Sequence, residues 1–138
     1  MNIKISLDSN YLRSMLQKGI SCFIACFNLF VISAMSQHAI LEGNGKVVIR
    51  KDNGSYVSTV ESSGAVFADI NAAGTEVLVT YNTGKVVARK INGSYISTVE
   101  SSKAISARWS GEDVVVTYSD GKVVKRKKTG SYISTIKS

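Results

Sequence analysis

The chain has 138 residues, 17 Lys and Arg against 10 Asp and Glu for a net charge of +7, no proline, one histidine and two cysteines. That is room for one ordinary domain. Cys22 and Cys26 both lie in the first 36 residues, so the remainder can form neither a disulfide nor a thiolate metal site.

The first third reads differently from the rest. Lys4, Arg13 and Lys18 precede an uncharged stretch, Gly19 to Met35, and the small residues Ala34 and Ser36 stand three and one residues before the cut. A basic start, an apolar run and small residues before a cut site describe a secretory signal peptide over 1–36, cleaved after Ser36. The chain is then expected to be secreted or periplasmic. The run is also just long enough to span a bilayer, which needs about 17–25 residues. An uncleaved signal anchor over 19–35, basic side inward, is the first alternative, and a buried strand is the second. Without residues 1–36 the charge falls to +5, from 14 Lys and Arg against 9 Asp and Glu. Its densest piece is Lys125-Arg126-Lys127-Lys128. Four adjacent bases can touch phosphate. They equally describe a solvated strand end that discourages edge pairing, which weighs against a nucleic-acid partner.

From residue 37 the chain repeats itself. GKVVIRKDNGSYVSTVES (45–62), GKVVARKINGSYISTVES (84–101) and GKVVKRKKTGSYISTIKS (121–138) align without a gap, at offsets of 39 and 37 residues. The stretches 63–83 and 102–120 also correspond, and His38 to Glu42 take the place of Val77 to Tyr81. Each unit reads as four strands. In the last copy these are Ala104–Trp109, Val114–Tyr118, Lys122–Lys127 and Ser131–Ile136, separated by turns at 110–113, 119–121 and 129–130. Asn53-Gly54 and Asn92-Gly93 mark the matching turns and predict two-residue hairpins in which both residues take positive φ. With the following serine they are also glycosylation sequons.

Strand faces decide between architectures. In VVVTY (114–118) and SYISTI (131–136) both faces carry apolar or compact side chains. A sheet with one wet face alternates apolar with charged residues, so these sheets are expected to be covered on both sides. Position 49, which is Ile, then Ala88, then Lys125, is expected to point outward because its identity drifts.

The span Lys103 to Ile136 resembles a WD40-type β-propeller repeat. The resemblance rests on the turn after Trp109, on Ser119-Asp120-Gly121 leading into the third strand, and on Thr129-Gly130 before a last strand ending Ser-Thr-Ile. It extends over residues 37–138. The Trp-Asp dipeptide is missing, with Arg126-Lys127 nearby, and no Gly-His precedes a blade, so the hydrogen-bonded tetrad of that family cannot form. The implied fold class is all-β, a partial β-propeller of about two and two-thirds four-stranded blades.

Propellers close with about four to eight blades. Five side chains left wet on one terminal face, at about 1.5–3 kcal/mol each, would forgo about 7–15 kcal/mol, the whole stability of a typical domain. The sequence therefore predicts completion by oligomerisation: a homodimer giving five to six blades or a trimer giving eight, or union with another propeller chain. A strand near 27–32 from an uncleaved leader, or the end of a neighbouring chain, would fill the place of the missing first strand.

For chemistry, the repeat domain offers one histidine, His38, and acids scattered through turns, of which Glu112-Asp113 is the one adjacent pair among Asp52, Glu61, Asp69, Glu100 and Asp120. No metal or cofactor is expected, and no enzyme. Binding is the better prospect. Tyr56, Tyr95 and Tyr132 recur at one repeat position, Arg50, Arg89 and Arg126 at another, and Trp109 occurs once. Aromatic rings suit a glycan or a peptide. The same tyrosines could instead pack blades together, and the arginines could pair with Glu61 and Glu100. Two functions follow: an exported binding module, lectin-like or protein-binding, or an assembly protein whose exposed blade faces mediate self-association. A membrane partner is expected only if the leader is uncleaved.

Overall fold

The computed structural model describes residues 35–138; the leader expectation therefore falls, apart from residues 35 and 36, outside the described residues. Strands β1 (Gln37–Leu41), β2 (Val47–Lys51) and β3 (Tyr56–Glu61) form one antiparallel sheet. Strands β4 (Ala65–Ile70), β5 (Glu76–Tyr81), β6 (Val86–Lys90) and β7 (Tyr95–Glu100) form the second. Strands β8 (Ala104–Ser110), β9 (Asp113–Tyr118), β10 (Val123–Lys127) and β11 (Tyr132–Lys137) form the third. Each sheet is a meander in chain order. The first begins at the second strand of the unit, which leaves β1 on its edge among the described residues. The pairing confirms the repeat: His38 lies opposite Arg50 as Val77 lies opposite Arg89.

Period-two alternation gives each central strand two buried faces. Val77 and Val79 of β5 join Val47, Ile49 and Val60 in a core between the first and second sheets. Leu78, between them in sequence, faces the other way and packs with Val86, Ala88 and Val99 against Ala107, Val114 and Val116 of the third sheet. The sheets are thus stacked blades, with one apolar core per junction. Position 49 corrects the outward expectation. Ile49 and Ala88 are fully buried at the two junctions, while Lys125 lies on the outer side of the last blade, where no described blade follows. The position faces the following blade, and its identity differs in the copy beyond which no blade is described.

The hairpins are also not the two-residue kind. The Lys51 amide donates to the Ser55 carbonyl (2.9 Å) and the Gly54 amide to the Lys51 carbonyl (2.8 Å), with the same bonds at 90–94 and 127–131. Only the glycine has positive φ, +86° in Gly54. This is a three-residue loop, a turn closed by a glycine bulge, and the Asn53 Oδ1 is occupied by the Ser55 amide (2.9 Å). Register shifts recur at the same two places in all three pairings of third and fourth strands, adding the twist that bulges bring.

The strand crossing from one blade to the next turns through Gly64, φ +84°, at the first junction and through Lys103, φ +68°, at the second. A lysine held in the left-handed region carries roughly 1–2 kcal/mol of strain. Replacing Lys103→Gly is therefore expected to stabilise the protein by about 1 kcal/mol, after the entropy cost of the glycine. Urea denaturation of the variant and the parent chain checks it.

Candidate functional site

Two like clefts open at the two junctions. The one between the first and second blades, of about 320 Å³, is lined by Glu61, Tyr81, Lys85, Val87, Arg89 and Tyr95 together with Asn82 and Thr83. The one between the second and third, of about 340 Å³, is lined by the same repeat positions: Glu100, Tyr118, Lys122, Val124, Arg126 and Tyr132, with Ser119 and Asp120.

A polar clasp forms the floor of each. Glu61 ends the outer strand of the first blade. It accepts a hydrogen bond from the Tyr81 hydroxyl (2.5 Å), which in turn accepts one from Arg89 Nε (3.1 Å). Arg89 Nη2 lies 3.3 Å from the same carboxylate, and Nη1 donates to the Gly93 carbonyl (2.9 Å). The second clasp repeats this: Tyr118 donates to Glu100, Arg126 Nε donates to Tyr118 (3.0 Å), and Arg126 Nη2 lies 3.0 Å from Glu100. Sequence reasoning did anticipate Arg89 and Arg126 pairing with Glu61 and Glu100. It missed Tyr81 and Tyr118, whose signal was their recurrence at one place in the aligned strands.

Burial alone would raise the Glu61 and Glu100 pKa values. The tyrosine hydroxyls, the Ser62 and Ser101 amides and the guanidinium charges outweigh it, and both glutamates titrate below the usual range. Tyr81 and Tyr118 move the other way, through burial first and then their bonds to the carboxylates. Arg126 is held still more firmly protonated: its own burial opposes this, and Tyr118 and Glu100 override it. General acid–base catalysis needs a group poised near the working pH. Every shift here moves away from neutrality, so the clasp is built to stay in one protonation state.

The remaining sequence-predicted residues separate into three groups. Tyr95 and Tyr132 line the clefts, and Tyr56 holds the equivalent place on the first blade, where Arg50 meets Glu42 (3.3 Å) instead of a glutamate from a preceding blade. The three tyrosines are 57, 59 and 60% exposed, so they do not pack blades together. Their hydroxyls bond Thr59, Thr98 and Thr135 at 3.0, 3.0 and 3.1 Å. Trp109 lies apart from both clefts. Its amide donates to Asp69 Oδ2 (2.8 Å) and its indole Nε1 to the Asp69 carbonyl (3.1 Å), tying β8 to β4. The basic run is largely neutralised: Lys125 pairs with Asp113 (3.8 Å), Arg126 with Glu100, and Lys128 with Glu76 (2.9 Å). Among the described residues no three His, Cys, Asp or Glu side chains gather as a metal site.

No protein-family model matches the sequence, and no curated protein matches it. Solved structures do match. BamB from Moraxella catarrhalis superposes with a TM-score of 0.57 at 17% identity over 76% of this chain and 35% of that one. The β-propeller domain of Cps50 (Swd1) from Myceliophteria thermophila superposes at 0.55 and 14% identity over 70% of this chain and 33% of that one. The fold is all-β, a partial β-propeller. The chain spans about a third of the length of these structures.

The shifted groups of the clasp make its contribution to stability depend on pH at both ends. Glutamates lowered from 4.5 contribute in full above that pH, and the contribution is lost as pH falls from 4.5 through their folded values. Tyrosines raised from 10.0 contribute in full below it and lose the contribution as pH rises through their folded values. The urea midpoint is expected to be highest between these limits and to fall on both sides. In the double variant Tyr81→Phe/Tyr118→Phe the alkaline fall should shrink and the plateau should drop by about 1–3 kcal/mol for each charged hydrogen bond removed.

Proposed function

We propose that this propeller segment is a non-enzymatic binding module, exported by its leader, that holds a partner protein across its repeated clefts. The observation that carries the reading is the row Tyr56, Tyr95 and Tyr132: more than half exposed, pinned through their hydroxyls to a neighbouring threonine, and two of them set at the mouths of like clefts. A ring fixed in advance offers apolar area and a polar edge at little entropic cost. Lys85 and Lys122 recur beside the rings. Two equal clefts in one chain favour a partner with repeated segments, because the second contact is made at high effective concentration.

The assembly reading is favoured by a different observation, the exposure of β11 along its whole length, whereas the equivalent strands β3 and β7 are partly buried. The two readings are compatible, since a ring completed from several copies would multiply the clefts.

Screening the full chain against peptide and glycan arrays tests the binding reading. Peptide capture is expected to weaken at least tenfold in Tyr95→Ala/Tyr132→Ala, while the urea midpoint stays within about 0.5 kcal/mol per exposed residue. Capture that ignores both substitutions would contradict the reading. Binding to glycans alone would replace the protein partner with a carbohydrate.

A further inference from the structure

The two junctions inside the chain are made by one set of repeat positions. On the leaving face of each blade, Ser58 or Ser97 donates through Oγ to a backbone carbonyl of the next blade, Ile91 or Lys128 (2.7 Å for the latter). The carbonyls of residues 59 and 60, or 98 and 99, receive Gly93 or Gly130 so closely that a Cβ there would lie 3.0–3.1 Å from them. The outer strand then ends in Glu61 or Glu100, the acid of the clasp.

Both halves of this joint occur once more, with no described blade against them, on the last and first blades. The leaving face of the last blade carries Ser134, the carbonyls of Thr135 and Ile136, and Lys137 in the place of the acid. The arriving face of the first blade carries the Asp52 carbonyl, Gly54, Arg50, and Glu42 in the place of the clasp tyrosine. Among the described residues nothing lies within 4 Å of the place a Cβ on Gly54 would occupy. Ile136 is 58% exposed where Val99 is 3%, and Ile40 is 40% exposed where Val79 is fully buried.

The backbone parts of the joint are unchanged at the ends, and the charged parts are exchanged as a pair. Inside the chain the acid comes from the preceding blade and meets Tyr and Arg. At the ends the acid, Glu42, already sits on the arginine's own blade, and the preceding blade brings a base. Either change alone would bring two bases together or crowd two acids onto one arginine. Made together, they leave one carboxylate between Lys137 and Arg50. A second exchange has the same sense. Lys125 stands on the leaving face where Ile49 and Ala88 are core, and Asp52 stands on the arriving face where the inner copies have Ile91 and Lys128. Asp113 takes the place of Glu76, which holds Lys128 across the inner junction, and it meets Lys125 at 3.8 Å, while Asp52 is bonded by His38 (2.5 Å) and the Ser36 amide (3.1 Å) of its own blade.

We propose that the leaving face of the third blade docks on the arriving face of the first blade of a second copy, head to tail, with Lys137 paired to Glu42 of the next copy. The proposal rests on the assembly reading and gives it a partner and a register. The contact is heterologous, so it closes a ring when the turn per copy divides the circle.

Sedimentation equilibrium of the full chain at low salt tests it, with Trp109 fluorescence reporting that each variant is folded. The parent chain is expected to associate, and Glu42→Lys and Lys137→Glu are each expected to raise the dissociation constant at least tenfold. The double variant, which restores opposite charges across the joint, should return most of that loss. A milder pair, Glu42→Gln and Lys137→Gln, serves if a reversed charge unfolds the chain, and each should weaken association with no rescue in combination. A parent chain that stays monomeric would overturn both register and assembly. Association indifferent to the single variants, or singles that weaken it without rescue in the charge-reversed double, would overturn the register and leave assembly standing.

Discussion

The middle blade of this protein is a thin sheet with two apolar sides, each covered by a neighbouring blade. β5 shows why. Val77 and Val79 belong to one core and Leu78 to the next, so the strand cannot be satisfied from one direction. Stability in such an array resides in junctions and propagates from neighbour to neighbour. The ends of the array are consequently its weak points, and the third blade shows the weakness directly. Val115 and Val123 are half-buried where their counterparts Leu78 and Val86 are fully covered, and β11 is exposed throughout.

Apolar cores alone leave the rotation of one blade on the next poorly defined, because they are non-directional. Direction comes from the clasps. A carboxylate from one blade accepts bonds from a tyrosine and an arginine of the next, and the arginine's other nitrogen is fixed on its own hairpin carbonyl. The glutamate side chains are only 19 and 15% exposed, so breaking one partner would leave a charge short of water as well as of bonds. This network joins neighbouring blades, and it uses residues that the WD40 pattern does not prescribe. A sequence can therefore lose that pattern's signature and retain stacked blades, provided another polar device fixes the junction.

Much of the architecture was legible because the repeat made each copy a control for the others. Strand limits fall within a residue of those read from the last copy, and two-sided burial holds for VVVTY, whereas SYISTI, the β11 strand, is exposed along its length. The sequence misled where one copy differs from the others. Lys125 suggested a solvent-facing position at 49 and 88, yet Ile49 and Ala88 are core at the two described junctions. Asn-Gly suggested a tight turn of two residues with positive φ. The loop is one residue longer, and it is the same at Thr129-Gly130, where no asparagine is present. The tyrosines of the last strand looked like packing residues and are the most exposed aromatic residues in the blades. Exposure of a ring depends on how far its strand projects past the neighbouring blade, which no local pattern encodes. The clasp tyrosines were visible as a recurrence, but their partners lie 20 and 18 residues upstream on another sheet.

The account stands or falls on whether an outer strand is only as stable as the face that covers it. Strands β7 and β11 have nearly the same sequence and the same pairing, and differ in that a described blade follows β7 and none follows β11. Amide hydrogen exchange across 95–100 and 132–137 compares them within one molecule. At high dilution the bonded amides of β11 should exchange much faster than those of β7, and the gap should close as the protein concentration rises. Equal protection of the two strands at every concentration would contradict the account.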